Sequence, residues 1–261
     1  MASRVSAGSD AVTFFARRLR RAGSAARARG EKAYLKSELQ FWGTGQDPIR
    51  LAVREFCDAY RDLSRADLRE VAETLYATDV HELRASAIGV LERNHHTLAD
   101  RDMPWLITLV RNSKSWAYVD WIAPKVIGNV IARDPRARRR LAVWAKDEDF
   151  WVRRAALLAE HDALRAGGGD FALWSRLAAP MLDEREFFIR KAIGWVLREV
   201  SKKRPALSYE FLRKHQDRVS RLSLQEGAKY LPAAERKALG LPAAPAWRAR
   251  EAKHRAASRR S

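Results

Sequence analysis

The sequence predicts an all-α chain, and three observations carry that prediction. Strand signals are nearly absent: no run of alternating β-branched residues is closed by an Asn-Gly or Asp-Gly turn. Apolar residues recur at helical spacing almost throughout, with recognisable helix starts. A short motif also repeats at intervals in the mid-thirties, the period of stacked helix pairs.

Taken in order, residues 1–9 read as a flexible end. Asp47-Pro48 and Asp134-Pro135 each offer an N-cap followed by proline at the first helical position. Ser64-x-x-Asp67 resembles a capping box and Ser223-x-x-Glu226 forms one. Gly167-Gly168-Gly169 is a flexible connection into a helix beginning near Asp170; the Lys and Ser/Thr sequel of a phosphate loop is missing. Roughly a dozen helices of about 10–18 residues result. They form one repeat domain over residues 10–239, followed by a basic tail over 240–261.

The repeat consists of an apolar residue, a basic residue, a spacer and a small residue. It occurs as Leu83-Arg84-Ala85-Ser86, Val152-Arg153-Arg154-Ala155 and Ile189-Arg190-Lys191-Ala192. A fourth copy is due near residue 120, where Val119-Asp120-Trp121-Ile122-Ala123 stands, giving spacings of 36, 33 and 37. Helical units at this period make an α-solenoid of HEAT-like type, each pair burying its small-residue face against the next. The central copy presents Asp120 where the others present arginine. On a surface meant for phosphates a carboxylate is out of place. Either it pairs with a neighbouring arginine, or it has a chemical task.

The chain of 261 residues carries 50 Lys+Arg against 32 Asp+Glu, a formal net charge of +18, which makes a polyanion the leading partner. Residues 1–36 hold 9 basic and 2 acidic side chains, residues 232–261 hold 8 and 2, and the 195 between hold 33 and 28. Composition alone therefore places polyanion binding in the two ends. No apolar stretch is long enough to span a membrane, and no signal core precedes Arg17-Arg18. A single cysteine, Cys57, excludes an internal disulfide and a multi-cysteine metal site, and reads as a core residue. His95-His96 are adjacent and so point in different directions, which argues against a metal site. Arg136-Ala137-Arg138-Arg139-Arg140 and Lys202-Lys203-Arg204 are either further polyanion contacts or solvated faces. A cytoplasmic or nucleoid location fits best.

Tryptophan occurs nine times and clusters around the anomaly. Trp116 lies four residues before Asp120 and shares its helical face. Trp121 is expected to point into the core. Trp195 follows Arg190 by five residues, on a face close to that of Lys191. Aromatic walls exclude water and can stabilise a cation through the ring quadrupole.

Three segments then resemble one family. They are Ser115-Trp116-Ala117-Tyr118-Val119-Asp120, Phe150-Trp151-Val152-Arg153-Arg154-Ala155-Ala156, and the run from Glu186 to Glu199. Together they resemble the AlkD-type DNA alkylation repair glycosylases, and Tyr34-Leu35-Lys36 with Phe41-Trp42-Gly43 and Gln46-Asp47-Pro48 is similar to that family's N-terminal segment. The resemblance runs from about residue 31 to 231. It implies a right-handed HEAT-like solenoid whose concave basic face grips duplex DNA, and excision of N3- and N7-alkylated purines without flipping the base into a pocket, unlike the general expectation for glycosylases.

Carried over residue by residue, the catalytic Asp falls on Asp120, the sugar-facing tryptophans on Trp116 and Trp195, and the phosphate-contacting arginine on Arg154. Lys191, Arg190, Arg198, Tyr34, Gln46 and Lys114 complete the expected DNA-contacting set. Ala117 departs from the pattern, since relatives usually show tryptophan there. No metal or cofactor is implied, and the expected state is a monomer on double-stranded DNA containing alkylated purines. Two other readings stay open. One is a non-catalytic HEAT-like protein binding duplex or branched DNA; the other is a protein-interaction solenoid whose basicity is incidental.

Overall fold

A computed structural model describes residues 7–243. Its helices are α1 (Ala7–Ala22), α2 (Ala25–Leu35), α3 (Gln46–Ala59), α4 (Arg65–Tyr76), α5 (His81–Arg93), α6 (Met103–Ser113), α7 (Trp116–Trp121) and α8 (Gly128–Arg133). There follow α9 (Arg139–Trp144), α10 (Phe150–Leu158), α11 (His161–Ala166), α12 (Phe171–Ala178), α13 (Phe187–Ser201), α14 (Pro205–Lys214), α15 (Arg221–Gly227) and α16 (Ala233–Ala238). A π-helical segment, Ile122–Ile127, joins α7 to α8. Apart from one parallel bridge between Gln40 and Val80, no extended pairing occurs among the described residues, and the all-α expectation holds. The described residues form two compact units, one up to residue 140 and one from residue 141, and the division falls within α9.

Helix α1 starts inside the stretch expected to be a flexible end. Gly8 is buried, its N–H donates to Glu70 Oε1 at 3.3 Å, and a β-carbon there would collide with Thr74. Ala11, Phe15 and Leu19 are wholly buried, at the spacing of one helical face. Residues 1–6 and 244–261, which include most of the expected basic tail, lie outside the described residues.

Some helix starts follow the local signals and others do not. Ser64 and Asp67 form the capping box of α4, and Asp170 caps α12 by accepting the Leu173 N–H at 2.8 Å. Asp134 accepts the Arg136 N–H at 3.1 Å and opens a 3-10 turn, Pro135–Arg138. Helix α3, however, begins at Gln46 with Gly45 as N-cap, two residues ahead of the Asp47 signal. Ser220, not Ser223, caps α15, and the Ser223 hydroxyl donates instead to the Arg190 carbonyl at 2.8 Å.

In the first unit one carboxylate organises the loop between α2 and α3. Glu82 is completely buried in the first turn of α5, and it accepts the backbone N–H groups of Trp42 (3.0 Å), Gly43 (2.7 Å) and Thr44 (3.1 Å). The Thr44 hydroxyl donates to the Leu19 carbonyl at 2.7 Å, which ties the loop to α1. Gly43 has φ +75°, and a β-carbon there would strike the Ser24 carbonyl and the backbone of Ala28. Only glycine lets α2 approach this closely. That approach matters because α2 buries none of its own residues.

Polar contacts between neighbouring helices keep the spacing of the sequence repeat. Cys57–Asn94, Arg65–Asp102, Tyr76–Ser113 and His81–Tyr118 each join residues 37 apart in the first unit. Lys203–Ala166 does the same in the second. Cys57 is buried as expected, and burial raises its thiol pKa.

Removing the Glu82 side chain strands three N–H groups, those of Gly43 and Thr44 buried and that of Trp42 partly buried, each worth about 1–3 kcal/mol when unsatisfied. We expect Glu82→Ala to cost at least about 3 kcal/mol in urea unfolding. Amides 42–44 should lose their hydrogen-exchange protection first.

Candidate active site

All four repeats lie on helices, and the structure gives their basic residue a common task. In each arginine copy the guanidinium donates to the backbone carbonyl six residues earlier. Arg84 reaches Thr78 at 2.7 Å, Arg153 reaches Asp147 at 2.6 Å, and Arg190 reaches Glu184 at 2.8 Å. Arg153 also holds the Glu184 carboxylate with two nitrogens, at 3.0 and 2.7 Å. These arginines latch the turn ahead of their own helix. Arg190, expected to contact DNA, therefore has a structural task as well.

At the fourth copy the latch is absent. The residue six before Asp120 is Lys114, which is exposed and left-handed, with φ 46°, and ends α6. Ser115 then caps α7, accepting the Ala117 N–H at 3.3 Å. Helix α7 runs only to Trp121, where π geometry takes over. Pro124 has no N–H for the carbonyl of Asp120 four residues back, and a wider turn accommodates its ring.

The side chains of α7 divide by face. Tyr118 and Val119 are buried, while Trp116, Ala117 and Asp120 are half-exposed. Trp116 meets Tyr34 of α2 edge-to-face with ring centroids 5.7 Å apart, and Tyr34 is itself 73% exposed. Gln46, at the start of α3, is exposed too. Trp121 corrects the sequence expectation. It is half-buried rather than core, its indole N–H donates to Glu92 at 2.6 Å, and the Arg50 guanidinium lies 5.6 Å from its ring.

Behind this face sits a residue that sequence reading missed. His81 is 6% exposed, stacks on Phe41 at 4.5 Å, and shares a 2.7 Å hydrogen bond between its Nδ1 and the Tyr118 hydroxyl. Burial pushes its pKa down to about 4. It therefore anchors α7 as a neutral ring. No motif announces it.

In the second unit, Trp195 is half-buried on α13 with its ring 4.4 Å from that of the buried His161. Arg154 is 3% exposed, not at the surface as a phosphate contact requires; its guanidinium donates to the Phe188 carbonyl and lies 5.8 Å from that residue's ring. Lys191 and Arg198 both bind Glu226 of α15, at 3.0 and 2.6 Å, and Arg198 also reaches Glu199 at 3.3 Å. Burial raises the Glu226 pKa, but these two cations outweigh it and hold the carboxyl below its usual range. The expected phosphate-binding cations of α13 are thus already paired.

Other candidates resolve plainly. Arg136 pairs with Asp134, and Arg139 and Arg140 share Asp100. Gly167, at φ 95°, ends α11. Among the described residues no group of three or more His, Cys, Asp or Glu could hold a metal ion, and no helix is long and apolar enough to cross a membrane.

Comparison with known proteins places this arrangement in a class. The family model described as "DNA alkylation repair enzyme" matches residues 15–231, and the chain belongs to that family. It is similar in structure to a predicted DNA alkylation repair enzyme from Enterococcus faecalis, with TM-score 0.70, 24% identity, and 80% of this chain and 96% of that one covered. It is also similar to AlkD2 from Streptococcus mutans, with TM-score 0.56, 18% identity, and 72% and 90% covered. No curated protein is a significant match to the sequence. The family and the shared all-α fold support a role in repair of alkylated DNA.

The His81 shift has a consequence for stability. A histidine whose folded pKa lies near 4 contributes fully above its unfolded value, near 6.5. That contribution, roughly 3 kcal/mol, is lost as pH falls from 6.5 towards 4. In thermal melts across that window the wild type should lose markedly more stability than His81→Gln.

Proposed function

We propose that the protein is a monofunctional DNA glycosylase that hydrolyses the N-glycosidic bond of cationic N3- and N7-alkylated purines in duplex DNA. The observation that carries the reading is the face of α7. Asp120 stands where three other repeats have a loop-latching arginine, and it shares its face with Trp116.

The chemistry suits these groups. A purine alkylated at N3 or N7 already carries positive charge, so it leaves as a neutral base with little need of an acid. The sugar left behind is electron-poor and oxocarbenium-like. A carboxylate beside it stabilises the developing charge and orients or deprotonates the attacking water. Such a group is unfavourable to DNA in the ground state and favourable where positive charge appears, the condition for faster chemistry. Trp116 and Trp195 are assigned apolar and π contacts to the deoxyribose, and the base is not flipped into a pocket.

In this reading the chain is a right-handed HEAT-like solenoid with a concave DNA-binding face, acting as a monomer without metal. Exposed Tyr34, Gln46 and Lys114 are assigned phosphate or sugar contacts, with Arg190, Lys191 and Arg198 on α13. Arg154 reaches a phosphate only by leaving the Phe188 carbonyl.

Single-turnover release of free base from duplexes with defined 7-methylguanine or 3-methyladenine tests the proposal. Asp120→Asn should slow release by at least about 100-fold while duplex affinity stays within about threefold. Full activity in that variant overturns the assignment. A chelator should leave the wild-type rate unchanged.

A further inference from the structure

Helix α1 turns a second, different face to solvent. Arg17, Arg20 and Arg21 stand at i, i+3 and i+4, opposite the buried Ala11, Phe15 and Leu19, and all three are exposed. Arg29 on α2 is exposed as well. Among the described residues none of these four has a carboxylate within ion-pair distance, whereas their neighbours Arg18 and Arg27 are paired with Glu55 and Glu31.

Arg20 and Arg29 flank a cleft of about 490 Å³ lined by Ser24, Ala28, Phe41 and Trp42. The Arg20 guanidinium lies 4.9 Å from the Trp42 ring centroid. The Trp42 indole Nε1 is buried and has no hydrogen-bond partner. The start of α2 opens into the same cleft, and its first turn carries no acidic residue. Unpaired cations and the positive end of a helix converge there. Each favours an anion that can accept hydrogen bonds.

We propose that this cleft and the α1 arginines form a second phosphate-binding surface for duplex DNA, separate from the face of α7. Arg29 and Tyr34, five residues apart, point to different sides of α2, so the cleft and the Tyr34–Trp116 pair are different surfaces. The choice of DNA rests on the repair reading above. An anionic membrane fits poorly: the apolar face of α1 is buried in the core, and α2 has no apolar stripe to enter lipid. The cleft offers cations, with no side chains arranged to read base edges, so binding is independent of sequence.

The test compares two charge-matched variants by equilibrium binding to an undamaged duplex over a salt series. One carries Arg17→Ala, Arg20→Ala, Arg21→Ala and Arg29→Ala. The control carries Arg101→Ala, Arg176→Ala, Arg185→Ala and Arg221→Ala, four exposed arginines elsewhere. Circular dichroism checks that both remain folded.

In the first variant the slope of log affinity against log salt should fall by about 2–4, with at least about tenfold weaker binding at low salt. The control slope should change by less than about 1. A wild-type slope in the first variant overturns the proposal. So do equal losses in both variants, or a loss seen only with an RNA hairpin or anionic vesicles. Absence of base release by the wild type, with the slopes as expected, sinks the glycosylase reading and leaves this surface standing.

Discussion

A carboxylate with no exposed surface, Glu82, is the constraint on which the site-bearing part of residues 7–140 depends. Three consecutive N–H groups of the 41–45 loop converge on it. Consecutive N–H groups turned to one side cannot pair with a helix or strand, so a buried loop of this shape needs an anion at its centre. Once that loop is held, the Gly43 carbonyl accepts the Ser24 N–H at 3.2 Å and α2 is seated, although it buries nothing itself. Tyr34 thereby comes to lie against Trp116. His81, the neighbour of Glu82, acts in the other direction through Phe41 and Tyr118, which fixes α7. One dipeptide thus positions both aromatic partners.

The repeat was legible in the sequence, but the reason for its arginines was not. Spacing alone suggests a row of phosphate contacts, because arginine is the residue such contacts use. The structure shows each guanidinium closing the turn before its own helix. That bond depends on how the preceding loop curls back, and no linear pattern records it. The correction sharpens the meaning of Asp120. Its contrast is with a set of loop latches, so replacing arginine there removes a local support. The local backbone differs accordingly, with a left-handed Lys114 before α7 and a π-helical segment after it.

Local signals had the same mixed success elsewhere. The box at Ser64–Asp67 and the cap at Asp134 depend on groups within three residues, and they form as read, the second opening a 3-10 turn. Asp47-Pro48 is overridden because the Glu82 loop ends at Thr44, so α3 starts directly after Gly45. The shared face of Trp116 and Asp120 follows from helix geometry alone and was legible for that reason. The pairing of Lys191 and Arg198 was not: Glu226 lies 35 and 28 residues away and meets them only once α15 packs on α13. Trp121 was misjudged because its partner, Glu92, belongs to another helix.

The pairings leave the net charge as it is and change how many of its cations are available. A surplus of +18 invites the view that any cluster of basic residues is available to a polyanion. Yet Arg139 and Arg140 share Asp100, Lys191 and Arg198 share Glu226, and Arg153 holds Glu184. Pairs of this kind, only partly shielded from solvent, add little to stability. Their effect on function is larger, since a cation already facing a carboxylate releases fewer counterions when a phosphate arrives. The cations left unpaired by the fold therefore contribute most to binding. On α1 and α2 that set adjoins a cleft lined by Phe41 and Trp42. The chemistry assigned to α7 needs the opposite arrangement, a carboxylate beside an aromatic ring. The sequence separates the two as a basic end and a nearly neutral middle, and the two proposals assign them to different surfaces.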